Sequence, residues 1–299
     1  MNTRFIYSFI LISCTSISSA FAQANLLNAR VPQNVGKFNE KQKEANNETP
    51  LAYGFVDDRD ILWSKTIWEI VDLDERINFP YYYPTDTLNL GPDRRSLFHV
   101  LKKNIRNGTI KEVYDDDYFQ SKLTYQEILD KLVAIDTLEA GIEQLNAGEE
   151  LDPQYINRRS ITAAEITQYR VKGTWYVNKR LGELKYRLLG IAPVAPDVYT
   201  LDKPEDEQDL VELFWVWFPD ARESLNSSYV FNQKNSSQPI SYDHMLNSRR
   251  FNSLIYKEEN VYQDRKIDEY IYDDALQQLL ESERVKSVIR DFEQDLWNN

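Results

Sequence analysis

Gln168-Tyr169-Arg170-Val171-Lys172 and Leu184-Lys185-Tyr186-Arg187-Leu188 alternate polar and apolar residues at every step. A period of two puts Tyr169 and Val171 on one face of a strand and Gln168, Arg170 and Lys172 on the other. The stretch from Glu165 to Ala195 keeps this rhythm, which predicts a half-buried antiparallel sheet. It breaks at Asn178-Lys179-Arg180-Leu181-Gly182, which suits a hairpin turn.

Working outward, Leu210–Phe218 is apolar on both faces apart from Glu212 and reads as a central strand. Asp273–Trp297 reads as a long helix. Asp273 and Asp274 suit the positive end of its dipole, and Leu276, Leu279, Leu280, Val285, Val288, Ile289, Phe292 and Leu296 form its apolar stripe. Ser96–Ile105 reads as a helix capped by Ser96, with Leu97, Val100, Leu101 and Ile105 at helical spacing. Thr109–Tyr114 reads as a short strand and Asp115-Asp116-Asp117 as a loop. Tyr125–Leu138 reads as a second amphipathic helix, Tyr242–Arg250 as a short helix and Ser253–Tyr256 as an extended piece. The prolines around Tyr81-Tyr82-Tyr83 favour an extended or turn backbone there. The fold class is α+β: a central antiparallel sheet with flanking helices and a long C-terminal helix.

The chain has 299 residues and a formal net charge of −13, with 19 Tyr, 13 Phe and 6 Trp. Such aromatic content excludes a wholly disordered chain, the acidity disfavours nucleic acid as a partner, and one cysteine excludes a disulfide framework. Phe5–Ile17 is apolar but too short to span a bilayer, and Ala20-Phe21-Ala22 supplies an A-x-A cleavage site. The expected organisation is a signal peptide over 1–22, a flexible polar leader over 23–54 and a single domain over 55–299. A rival reading takes Leu11-Ile12-Ser13-Cys14 as a lipobox, with Cys14 lipidated.

No catalytic constellation stands out. His99 and His244 lie outside any metal-ligand pattern. Glycine-rich phosphate loops and a G-x-S-x-G elbow are absent. Asp115-Asp116-Asp117 lacks the alternating spacing of a calcium loop. Many carboxylates and aromatic residues leave a glycan-binding or glycan-cleaving reading open. No catalytic, metal-ligating or cofactor-binding residue is assigned, and no cofactor is expected.

Charge asymmetry is the informative feature. Between Arg170 and Arg187 lie Arg170, Lys172, Lys179, Arg180, Lys185 and Arg187, against the single acid Glu183. The segment from Pro196 to Leu225 holds nine acids, among them Asp206, Glu207 and Asp209, and two bases. A basic hairpin and an acidic loop on one chain suit head-to-tail contact between copies. Contact within one subunit, or plain solvation of both, is the competing reading. These residues are the candidate interface.

Several blocks carry a resemblance. Asp60-Ile61-Leu62-Trp63-Ser64-Lys65, Trp68-Glu69-Ile70-Val71-Asp72-Leu73 and Asn78-Phe79-Pro80-Tyr81-Tyr82-Tyr83-Pro84 resemble the gliding motility protein N family (GldN, also called PorN). So do Tyr114-Asp115-Asp116-Asp117, Gly182–Val194, Phe214–Asp220, Ile255–Tyr262, Glu283–Lys286 and Phe292–Trp297. The resemblance implies a non-enzymatic periplasmic component of the type IX secretion system. It also implies partners: an outer-membrane lipoprotein (GldK or PorK) forming rings with this chain, and the periplasmic part of the motor (GldM or PorM, with GldL or PorL). It places the lipid anchor on the partner.

Overall fold

The computed structural model describes residues 50–86, 94–148, 152–204, 207–230 and 240–297. The expected signal peptide, Cys14 and most of the expected leader lie outside the described residues, as does Asp206.

Strand β1 (Ile61–Asp72) leads into a one-turn helix, α1 (Phe79–Tyr82). Then come α2 (Leu97–Arg106), β2 (Val113–Tyr114), α3 (Tyr125–Leu132), β3 (Val133–Thr137), α4 (Glu139–Asn146) and β4 (Ile156–Ser160). The central hairpin is β5 (Gln168–Asn178) and β6 (Glu183–Pro196). Short strands β7 (Leu210–Glu212) and β8 (Trp215–Trp217) precede α5 (Phe218–Asn226), β9 (Tyr229–Val230), β10 (Ile240–Ser241) and α6 (Tyr242–Asn247). The chain continues with β11 (Leu254–Glu258), α7 (Ile267–Tyr270) and α8 (Ala275–Trp297). The main sheet runs β11-β1-β5-β6-β8-β2, with β7 also paired to β6, and its pairs are antiparallel. The α+β class and the long C-terminal helix are as expected from the sequence.

Register fixes what each face carries, because residues directly opposite in neighbouring strands share a face. Tyr169 pairs with Val71 and with Pro193, and Val171 pairs with Glu69 and Ile191. This face holds the main core with Leu97, Leu101, Phe218 and Leu246 from α2, α5 and α6. Farther along, Ile67 and Ile255 pack with Val285 and Ile289 of α8. The opposite face pairs Lys172 with Trp68 and with Gly190. There Trp68, Ala192 and Trp215 form a third cluster, covered by Tyr114, Phe119 and Tyr256.

Two glycines mark close approaches. A Cβ on Gly173 would overlap the Tyr186 phenol, and one on Gly190 would sit 2.5 Å from Phe119 Cζ. Phe119 itself has a left-handed backbone, φ 60°, which aims its ring down into the gap over Gly190. Gly190→Ala should therefore lift the 115–121 loop and cost about 1–3 kcal/mol by overpacking. Proteolysis within the loop, faster than in the parent, checks this.

Some expected elements change. The Tyr125–Leu138 helix stops at Leu132, and Val133–Thr137 becomes a strand paired with Ile156–Ser160. The β-branched Val133 and Ile135 fit that pairing. Tyr81 sits in a helical turn, since Pro80 falls at its start, where no N–H is needed. The run Leu210–Phe218 divides into β7, β8 and the start of α5, where Pro219 occupies the first turn. Helix α8 begins after Asp274, whose carboxylate accepts from Gln277 N at 2.9 Å. Its stripe is only partly used. Val285 and Ile289 are buried and Phe292 stacks on Trp63 at 4.8 Å. Leu276, Leu279, Leu280 and Val288 are exposed. Leu296 lies outside the described side chains.

Candidate functional site

The six candidate bases divide into three groups. Lys172 is taken inside. Its Nζ donates to the Asp117 carbonyl at 2.8 Å and lies 4.6 Å from the Trp68 ring and 4.7 Å from Tyr118. Lys257 from the edge strand β11 points at the same two rings and donates to Asp117 Oδ2 at 2.6 Å. The two lysines titrate in opposite senses. Burial pulls Lys172 below its ordinary value and the Asp117 charge only partly offsets that. Burial also pulls on Lys257, but the carboxylate bond outweighs it and raises the group. The difference follows from geometry: Lys257 donates to the carboxylate oxygen and Lys172 only to the carbonyl, and the neighbouring Lys257 charge lowers Lys172 further. Arg170 stacks on Tyr256 at 4.4 Å, with Glu212 4.0 Å away.

Arg187 forms the second group. Its Nη2 donates to the Gly54 carbonyl at 3.1 Å and to the Tyr176 hydroxyl at 3.4 Å, and its guanidinium lies 4.6 Å from the Tyr53 ring.

Lys179, Arg180 and Lys185 form the third, at the exposed end of the hairpin. Arg180 meets Asp60 at 3.4 Å and Lys185 meets Glu183 at 3.1 Å. Exposed Leu181 sits between them. These pairs are solvated and hold little energy, so the charges remain open to a partner. The acidic residues Glu207 and Asp209 are exposed in the β6–β7 loop, which closes by an Asp197 N to Asp209 carbonyl bond of 2.8 Å. Asp202 of the same loop pairs with Arg159 on β4 at 2.9 Å.

Asp115, Asp116 and Asp117 bind the polypeptide. Asp115 pairs with Lys131, and Asp117 pairs with Lys257. Asp116 accepts the backbone N–H groups of Gln120 and Ser121 at 2.9 and 3.1 Å. Burial pushes the Asp116 carboxyl up, and those backbone donors outweigh it and hold the group below its ordinary value. This packing clamps the aromatic loop onto the sheet. Among the described residues, no group of three or more His, Cys, Asp or Glu is arranged to hold a metal.

Sequence reading missed two buried ion pairs. Glu69, fully buried, accepts both arms of Arg249 at 2.8 and 2.7 Å, and a third bond from Ser253 Oγ at 2.7 Å. A glutamate inside Trp68-Glu69-Ile70-Val71 was the available signal. Arg222 and Asp243 pair at 2.8 and 3.1 Å between α5 and α6. They lie 21 residues apart, and nothing in either segment links them.

Several of the rings that support a glycan reading lie inside, while Tyr83, Tyr199, Tyr262 and Tyr272 are exposed. Tyr81, Tyr169, Tyr242, Trp68 and Trp215 are buried, and desolvation pushes the Tyr81, Tyr169 and Tyr242 phenols well up. A void bordered by Val71, Tyr81, Leu97, Tyr169 and Phe251 is lined by apolar surface. It has room for about one water molecule.

Fold and site together define an α+β module whose charged and aromatic groups pin strands, loops and helices to one another. The profile of the family described as gliding motility associated protein GldN matches residues 56–298. The chain belongs to this family, a component of gliding motility and type IX secretion machinery. No curated protein matches the chain significantly. No helix among the described residues is long and apolar enough to cross a membrane.

Proposed function

We propose that this protein is a non-enzymatic structural subunit of the type IX secretion and gliding machinery. It assembles in the periplasm, beneath the outer membrane, into a ring with a GldK/PorK-like lipoprotein. It also contacts a GldM/PorM-like periplasmic stalk. In this reading the domain spans 55–299 and follows a cleaved signal peptide and a polar leader. The observation that carries the reading is family membership over nearly the whole domain. The side-chain chemistry supports it, because the clustered charges serve contacts that stiffen the module.

The exposed hairpin end is the proposed contact between subunits. Arg170, Lys172 and Arg187 are already engaged within the chain, so a test of assembly must spare them. The triple variant Lys179→Glu, Arg180→Glu, Lys185→Glu reverses only solvated charges. Its stability should stay within about 1 kcal/mol of the parent. Ring recovery from cell envelopes should fall by about tenfold, because like charges at a contact repel. Undiminished rings from the folded variant would discard the hairpin as an interface.

A further inference from the structure

Residues 51–54 lie as a strap across β6, α5 and α6, and one side chain does most of the holding. Two guanidinium groups hold the Tyr53 ring, Arg222 at 3.9 Å and Arg187 at 4.6 Å from its centre. Its hydroxyl donates to Asn247 Oδ1 at 2.6 Å. The same two arginines read the backbone: Arg222 Nη2 donates to the Leu51 carbonyl at 2.6 Å and Arg187 Nη2 to the Gly54 carbonyl at 3.1 Å. Behind them, buried Asp243 fixes the receptor. It holds Arg222 by two bonds and accepts from Asn247 Nδ2 at 2.9 Å.

The apolar neighbours of the ring stay outside. Leu51 is 75% exposed and Phe55 91%. A segment that existed to complete the core would bury them. Only the Tyr53 ring reaches the edge of the main core, and recognition rests on its cation–π contacts and on hydrogen bonds to its hydroxyl and to two carbonyls. Along β6, residues 183–188 have no second strand partner among the described residues.

We propose that Arg187, Arg222 and Asn247 form a binding site for an extended peptide bearing a tyrosine, and that the chain's own residues 51–54 fill it reversibly. The ligand class follows from the contacts: a tyrosine, with free carbonyls two residues before it and one after. The strap is a tethered ligand, and its release bares the site, with Tyr53 the one strap side chain withdrawn from the edge of the core.

The test uses the full chain carrying Tyr53→Ala and a labelled synthetic peptide of residues 50–57, read by fluorescence anisotropy. The variant should bind this peptide about tenfold more tightly than a peptide with alanine at the tyrosine position, and about tenfold more tightly than the parent chain does. Adding Arg187→Gln should remove the binding. Equal binding of both peptides, or none by a variant with an intact melting transition, overturns the proposal. A second readout does not depend on Tyr53→Ala folding. Chymotryptic cleavage after Tyr53 should accelerate about tenfold in Arg187→Gln alone; an unchanged rate would show that the strap is fixed by ordinary packing.

Discussion

Arg249→Ala should destabilise the protein by about 3–5 kcal/mol, because it strands a fully buried carboxylate. Glu69 sits in the middle of β1, between the main core and the cluster under α8. Its two oxygens are satisfied by Arg249 and Ser253, and the Tyr186 hydroxyl lies 3.3 Å away. Burial alone would lower Arg249, but the Glu69 bonds outweigh it and raise the group. The guanidinium also lies 4.2 Å from the Tyr186 ring and 5.2 Å from Trp175, so one residue ties the 249–253 turn to three strands. Replacing both members, Glu69→Met with Arg249→Met, should cost much less than Arg249→Ala, since no buried charge is left unpaired. Chemical denaturation of both variants decides this; a double variant as unstable as the single one contradicts the account.

The second large effect is expected at Trp215. Its side chain is fully buried on the opposite face of the sheet. The ring meets Phe119 edge-on at 6.3 Å and its Nε1 donates to Glu212 at 2.7 Å. Trp215→Ala should cost about 3–5 kcal/mol, from lost transfer energy and the cavity left behind. The damage should spread first to the 115–121 loop, whose Phe119 ring rests on Gly190 and on Trp217 at 4.9 Å. Thermal unfolding measures the cost. Faster hydrogen exchange at Gln120 and Ser121, whose N–H groups bond to Asp116, locates it. A loss below about 1 kcal/mol would mean that the cluster is not a packed core.

The central hairpin could be read from sequence because its period is local. Tyr169, Val171, Leu184, Tyr186 and Leu188 alternate with charges, and the turn carries Gly182 at φ 63°. Ser96 capping α2 is likewise a local signal, and its Oγ accepts from His99 N. What escaped was set by tertiary contact. Helix α3 ends where β4, more than twenty residues later, offers Val133–Thr137 a strand partner. The α8 stripe contains more apolar residues than the sheet covers. For the candidate interface, composition gave the bases but not their separate fates. Lys172 and Lys179 look alike in sequence, yet one lies over Trp68 and the other is exposed at the turn. The bonds from Arg187 to Gly54 and from Arg222 to Leu51 span more than a hundred residues, and no pattern on either side announces them.

The central claim is that this family member works by assembling. The most direct measurement is native purification of a C-terminally tagged copy from its own cell envelope. Mass spectrometry would read its composition and negative-stain electron microscopy its shape. The account predicts large rings that contain this chain and a lipoprotein partner. A lone monomer surviving gentle extraction, with no envelope partner, would contradict it.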